Sequence, residues 1–221
     1  MAEKWNAQPA ITAANLATDD ELLVSDTSAA SGSKDANMTA AQLRLWAQSY
    51  YQYVWLGAGA AIPNTTAGAA TQTEEYATND VMADQFLFDA STEESVQFWW
   101  SPPEYWDLGT FKARFIWDVD TAGSGDVVWG ISALALSNDD AIDAAFGTEI
   151  EVTDTVLAVG DTHRSDATAA ITAAGTPAAG DVLVIKVARK AADGGDTCTV
   201  DAKLLGIQVE FLNDATGHSA W

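Results

Sequence analysis

Cysteine is nearly missing from this chain. The single Cys198 among 221 residues leaves no intrachain disulfide and no cysteine-based zinc site to consider. Flanked by Thr197 and Thr199 in a strand-like run, it reads as a small buried apolar residue rather than a nucleophile. Positive charge is also scarce: 10 Lys and Arg stand against 32 Asp and Glu, for a formal charge of −22. Such a chain repels phosphate backbones, which argues against nucleic acid as a partner. There are two histidines, His163 and His218, both in polar settings that suggest solvated surface positions. No apolar stretch approaches the roughly 18 residues of a membrane span. The opening MAEKWNAQPA has no apolar core of the kind a secretory leader carries, so synthesis and retention in a cytoplasm are expected. No HExxH, GxSxG, phosphate-loop or dinucleotide-binding fingerprint occurs. The enzyme classes that announce themselves by motif are therefore not expected, and no cofactor is implied. Paired carboxylates of the glycosidase kind carry no information here, because among 32 acids some pair must lie close by chance.

What is present is a large apolar fraction, 48% of residues. That suffices for one main core with a small appendage. The acid excess, with Asp outnumbering Glu and lysine rare, keeps a surface hydrated where salt screens charge, and suits a saline source.

Residues 1–50 differ from the rest, being rich in Ala, Thr, Ser and Asp. Asp20 to Asp26 reads as a strand and Thr27 to Lys34 as a polar turn. Thr39 with Gln42 forms a capping box that opens a helix through Leu43, Leu45 and Trp46 to about Tyr50. A unit this small buries too little to stand alone. Its apolar side chains, Leu22, Leu23, Val24, Leu43, Leu45 and Trp46, are thus docking candidates toward the main domain or a neighbouring protein.

From Tyr51 onward, residues 51–221 read as β-strands broken by Gly, Asp, Asn and Pro. Strands are expected near 51–56, 69–77, 84–90, 94–101, 109–118, 126–137, 148–157, 166–173, 181–189 and 197–211. Alternation is clearest in Phe111, Ala113, Phe115, Trp117 and in Val182, Val184, Lys186, Ala188. Ser137 with Asp140 suggests a second capping box and a short helix over Ala141 to Phe146. The run Asp193-Gly194-Gly195-Asp196 suggests a tight hairpin with positive φ at its glycines. The expected class is all-β, a β-sandwich of jelly-roll type with a small N-terminal strand–helix module.

Calcium is the ion that acidic turns best suit. Asp118, Asp120 and Asp126, or Asp193 and Asp196, offer hard oxygens beside glycine, though neither set follows the twelve-residue loop pattern and acidic turns facing water explain both. The aromatic stretch Trp99-Trp100-Ser101-Pro102-Pro103-Glu104-Tyr105-Trp106 has sharper implications. Adjacent residues of a strand point to opposite faces, so one of Trp99 and Trp100 lies outside. With Tyr105 and Trp106 they form either a subunit interface, the favoured reading, or a platform for sugar rings.

Two stretches resemble known proteins. ITAANLATDDELLVSDTSAASGSKDANMTAAQLRLW resembles a short module at the start of many structural proteins of tailed bacteriophages, in which a D-E-L-L-V-S-D strand precedes a T-x-x-Q-L helix. Asp20 to Asp26, Thr39, Gln42 and Leu43 carry the match. The closing part, with Arg189, Asp193, Asp196, Thr197 and then Asp201-Ala202-Lys203-Leu204-Leu205-Gly206, is similar to the hairpin that ends the sandwich of small phage virion proteins. Arg189 follows an apolar strand with Asp193 and Asp196 within reach across the turn, which suggests a structural tie. The resemblance implies a non-enzymatic virion component made in a host bacterial cytoplasm. It would be a homotrimeric head decoration, head fibre or tail-fibre protein docked on capsid or tail through residues 1–50. The alternative is a carbohydrate-binding module that recognises a host glycan. No nucleic acid and no membrane partner is expected.

Overall fold

A computed structural model of the chain describes residues 21–25, 35–39 and 50–213. The chain divides into two compact units, Met1–Tyr50 and Tyr51–Trp221. In the first, strands β1 (Glu21–Ser25) and β2 (Asp35–Thr39) pair antiparallel, Glu21 opposite Thr39 and Ser25 opposite Asp35. Thr39 is thus the last residue of a strand that the sequence pattern did not indicate. A lone strand leaves its backbone N–H and C=O groups unpaired, and β2 supplies the partners. The helix expected after it, with Leu43, Leu45 and Trp46, lies outside the described residues, as do His218 and the side chains of Leu22, Leu23 and Val24.

The second unit is a two-sheet β-sandwich. Its strands are β3 (Tyr51–Gly57), β4 (Ala61–Pro63), β5 (Ala70–Tyr76), β6 (Val81–Phe88), β7 (Glu94–Trp100), β8 (Trp106–Val119), β9 (Asp126–Leu136), β10 (Ile150–Thr155), β11 (His163–Arg164), β12 (Val182–Arg189) and β13 (Ala202–Asn213). One sheet runs β10-β9-β12-β7-β4 and the other β11-β8-β13-β6-β5, with β3 also paired to β13. Every one of these strand pairings is antiparallel. The chain changes sheet at most connections, wrapping both layers in the manner of a jelly roll. No helix among the described residues is long and apolar enough to cross a membrane.

Trp129 of β9 fastens the layers together. Its ring meets Phe88, Phe115 and Trp117 of the opposite sheet at centroid distances of 5.2, 5.3 and 5.9 Å. Such edge and stacked contacts add to an already large apolar burial. A second aromatic group closes one end of the sandwich, where Trp100 lies 5.6 Å from Phe211 and 6.4 Å from both Trp106 and Phe111.

Three sequence expectations fail in informative ways. Residues 166–173 form no strand, although the chain follows β8. Ser165, Thr168 and Ile171 donate their N–H groups to Phe115, Ala113 and Phe111, while the hydroxyls of Ser165 and Thr168 accept from Phe115 and Ala113. Hydroxyls substitute for carbonyls, so a regular ladder never forms. No helix follows Ser137. Its N–H donates to the Asp140 carboxylate at 2.9 Å, as in a capping box, but its hydroxyl donates to Asp181 on another segment. Without that hydroxyl the first helical N–H groups have no cap, and the segment remains a turn. Finally, Asp193 to Asp196 is not a hairpin tip. β12 and β13 belong to opposite sheets, so residues 190–201 cross between layers, and neither Gly194 nor Gly195 has positive φ.

Candidate functional site

The segment YQYVWLG alternates strictly. Val54 and Leu56 pack toward the core, so Tyr51, Tyr53 and Trp55 share the outer face of β3, where they are 60%, 55% and 51% exposed. Three large aromatic rings in a row on the outside of a small sandwich form a patch that surface composition alone does not explain. The rings rise about 13 Å from first to last at strand spacing.

Register places polar groups beside each ring. Tyr53 stands opposite Glu210 of β13, which stands opposite Lys112 of β8. Trp55 stands opposite Gln208, and Gln208 opposite Arg114. One step further, Gly206 faces Ile116, whose other neighbour is Arg164 of β11. Directly opposed residues project to the same side of a sheet, so aromatic, amide and cationic side chains form parallel rows on one surface. The Glu210 carboxylate opposite Tyr53, through hydrogen bonding and charge, holds the phenol above its usual range. Arg164 donates from Nη2 to the Gln208 side-chain oxygen at 3.0 Å, and Arg114 donates from Nη1 to the Ser165 carbonyl at 3.0 Å. Among the described residues each guanidinium is held by one hydrogen bond, which engages only part of its five N–H donors.

Gly206 explains how Trp55 lies flat here. Its φ is +154°, at a bulge between Leu204 and Gly206, and a Cβ at this position would stand 2.5 Å from the Trp55 ring. The ring therefore rests over bare backbone.

The residues singled out from the sequence do not assemble into one platform. Trp99 is 48% exposed on the outer face of β7, while Trp100 is 7% exposed and points inward. Trp106 is fully buried as well, so Trp100 and Trp106 are core residues and not surface candidates. Both complete the aromatic cluster around Phe211, which an interface or platform role would leave unfilled. Tyr105 is half-exposed and stacks on Phe211 at 6.3 Å. Trp99 forms a wall of an open groove of about 420 Å³ with Ile62, Asn64, Thr65, Thr66 and Gln97, in which Gln97 donates to Asn64. This second location is on the other sheet from the β3 rows.

Arg189 is a structural anchor, bonded to Asp196 at 2.8 and 3.0 Å. Asp193 is not its partner; that carboxylate accepts the Gly195 N–H within the exposed turn. His163 is buried rather than solvated. It packs on Trp117 at 4.2 Å, Nε2 accepts the Leu157 N–H, and Nδ1 lies 2.8 Å from the Asp161 carbonyl, which places the ring hydrogen on Nδ1. The acidic turns proposed for calcium are consumed otherwise. Asp118 is buried beside Lys203, Tyr76 and Gly160, Asp126 accepts from Thr155, and Asp196 holds Arg189. Among the described residues no three His, Cys, Asp or Glu side chains converge as metal ligands.

No protein-family model and no curated protein matches the sequence. Solved structures with a similar arrangement include the CBM22-1 and GH10 modules of endo-1,4-beta-D-xylanase 10B from Clostridium thermocellum, complexed with xylohexaose. That structure is 12% identical, with a TM-score of 0.39 over 73% of this chain, and the present chain spans only 28% of its length. The Family 11 Carbohydrate-Binding Module from the same organism is 8% identical, with a TM-score of 0.35 over 87% of this chain and 96% of its own. The mannan-recognising module TmCBM27 is 11% identical, with a TM-score of 0.38 over 72% and 98% of the two chains. At TM-scores this low, the description of the fold rests on the two sheets themselves.

Proposed function

We propose that the sandwich is a non-catalytic glycan-binding domain whose site is the outer face carrying Tyr51, Tyr53 and Trp55. The observation that carries this reading is the row of three exposed rings in register with Glu210 and Gln208. An aromatic ring offers a sugar the apolar surface its C–H faces need, and an adjacent amide or carboxylate meets the hydroxyls at the ring edge. Water alone gives these rings no such complement. A glycan array probed with the full chain and with Trp55→Ala tests it. Binding by the parent and at least a tenfold loss in the variant, on the order of a hot-spot contact, is the expected result. No binding by the parent rejects the proposal.

The two-unit division supports a second, compatible role. A small unit of residues 1–50, similar to phage attachment modules, would dock on a particle and carry the sandwich outward as part of a homotrimeric appendage. Deleting residues 1–50 should leave the melting temperature of the sandwich unchanged and abolish association with particles. A truncated chain that aggregates rejects this role.

A further inference from the structure

The placement of positive charge on this protein is uneven in a way that bears on the ligand. Within residues 50–213, three cations are held in ion pairs. Arg189 is paired with Asp196, Lys190 with Glu93 and Glu149, and Lys203 with Glu74 and Asp118. Lys186 belongs to β12 in the other sheet. The remaining three, Lys112, Arg114 and Arg164, fall on the same outer face as Tyr51, Tyr53 and Trp55. In the rows that cross Tyr53 and Trp55 the carboxylate is Glu210, and further along the same face of β8 Asp118 stands opposite Lys203 and is buried in an ion pair with it.

We infer that this face takes an anionic glycan, with carboxylate or sulfate groups held by Arg114, Arg164 and Lys112 while sugar rings lie on Tyr51, Tyr53 and Trp55. The inference deepens the glycan reading above and rests on it. A neutral sugar can accept hydrogen bonds from these groups but leaves three positive charges uncompensated, whereas an acidic one matches them in charge and, for guanidinium, in fork geometry. Both arginines are already oriented by bonds to Gln208 and Ser165, so little freedom is lost when an anion arrives. The chain as a whole carries −22 and repels polyanions at long range. Retention of one would therefore reflect this local field and not general ion exchange.

The test is affinity electrophoresis of the full chain through gels containing polygalacturonate, dextran sulfate or dextran. The expected result is retardation by an acidic polymer and none by dextran at equal loading, weakening with added salt. The two acidic polymers separate carboxylate from sulfate as the group recognised. Arg114→Gln with Arg164→Gln should weaken retardation about tenfold or more with the melting temperature kept. The corresponding lysine pair should restore part of it. Equal retardation by dextran, or a glutamine pair that behaves as the parent, overturns the anionic inference and leaves glycan binding standing. No retardation by any polymer overturns both, and an oligomer that dissociates in Trp55→Ala would then identify a second copy of the chain as the occupant.

Discussion

Arg189 and Asp196 form a fully buried two-point ion pair at the junction where the chain leaves one sheet for the other. Neither side chain is more than 1% exposed. Beyond Asp196, the guanidinium donates to the carbonyls of Val200 at 2.8 Å and Cys198 at 2.6 Å. It thereby satisfies backbone acceptors of a crossover that has no ladder of its own. Burial pushes the guanidinium pKa down, and the bonds and charge of Asp196 more than reverse that.

Removing this side chain leaves Asp196 buried and uncompensated along with orphaned carbonyls. Arg189→Ala is expected to cost about 3–5 kcal/mol, a drop in melting temperature of roughly 10 °C for a domain this size. Arg164→Ala should cost about 0–1 kcal/mol, since that guanidinium is exposed and bonds a single amide. Asp193→Ala should behave like the latter. Thermal denaturation of the three variants checks the ranking, and equal melting temperatures for Arg189→Ala and Arg164→Ala contradict it.

Neighbouring tryptophans of β7 should separate just as sharply. Trp100 packs against Phe111, Trp106 and Phe211, so Trp100→Ala opens a core cavity and is expected to cost about 3–5 kcal/mol. Trp99 projects outward, and Trp99→Ala should change stability by less than about 1 kcal/mol. Acrylamide should quench Trp99 and Trp55 well before the buried rings. A Trp99→Ala variant as unstable as Trp100→Ala would mean the orientation is reversed.

Much of the sandwich is legible in the sequence because burial on one face forces period-two alternation. Phe111, Ala113, Phe115 and Trp117 point inward as that pattern requires. β9 is legible for another reason: both its faces are covered, and it reads as a continuous apolar run. The segment after Arg164 misled because Ser165 and Thr168 bond to β8 through side chains, which no periodicity records. The candidate site was half visible. Tyr51, Tyr53 and Trp55 stand in plain alternation, but the doubled tryptophan at 99–100 is the louder signal. What no local pattern carries is register. Arg114, Gln208 and Trp55 become neighbours only once β8, β13 and β3 are aligned.

Acid should loosen the far end of the same sheet. The Lys203 hydrogen bond, at 2.8 Å from the amine, is the main reason the Glu74 carboxyl lies below its usual range, with Gln85 assisting against burial. A depressed carboxyl contributes stability that is present above its unfolded pKa, near 4.3, and is lost as pH falls through the folded value. Stability should thus be flat above about pH 5 and decline below about pH 4. Glu74→Gln should be less stable than the parent at pH 7, yet lose less between pH 5 and pH 3. Urea unfolding at a series of pH values gives the comparison, and parallel curves would remove Glu74 from the account.

Gly206 links stability to the binding face. A methyl group there would stand 2.5 Å from the Leu56 carbonyl oxygen and 2.5 Å from the Trp55 ring. The backbone at φ +154° also disfavours a side chain. The carbonyl belongs to the β3–β13 ladder and can retreat only by breaking it, whereas the ring can swing out toward solvent. Gly206→Ala is therefore expected to lower stability by about 1–3 kcal/mol, the range of local overpacking and strain, and to tilt Trp55 off the sheet. Because the ring lies among Gln208, Arg114 and Arg164, its displacement should weaken glycan retention even under conditions where the variant is fully folded. Gly57→Ala on the paired strand is the control. Its methyl group would meet the Trp55 Nε1 edge at 3.1 Å, a milder contact. Affinity electrophoresis and Trp fluorescence of both variants at a temperature well below melting read the effect directly. A folded Gly206→Ala protein that binds as the parent does would separate Trp55 from ligand recognition.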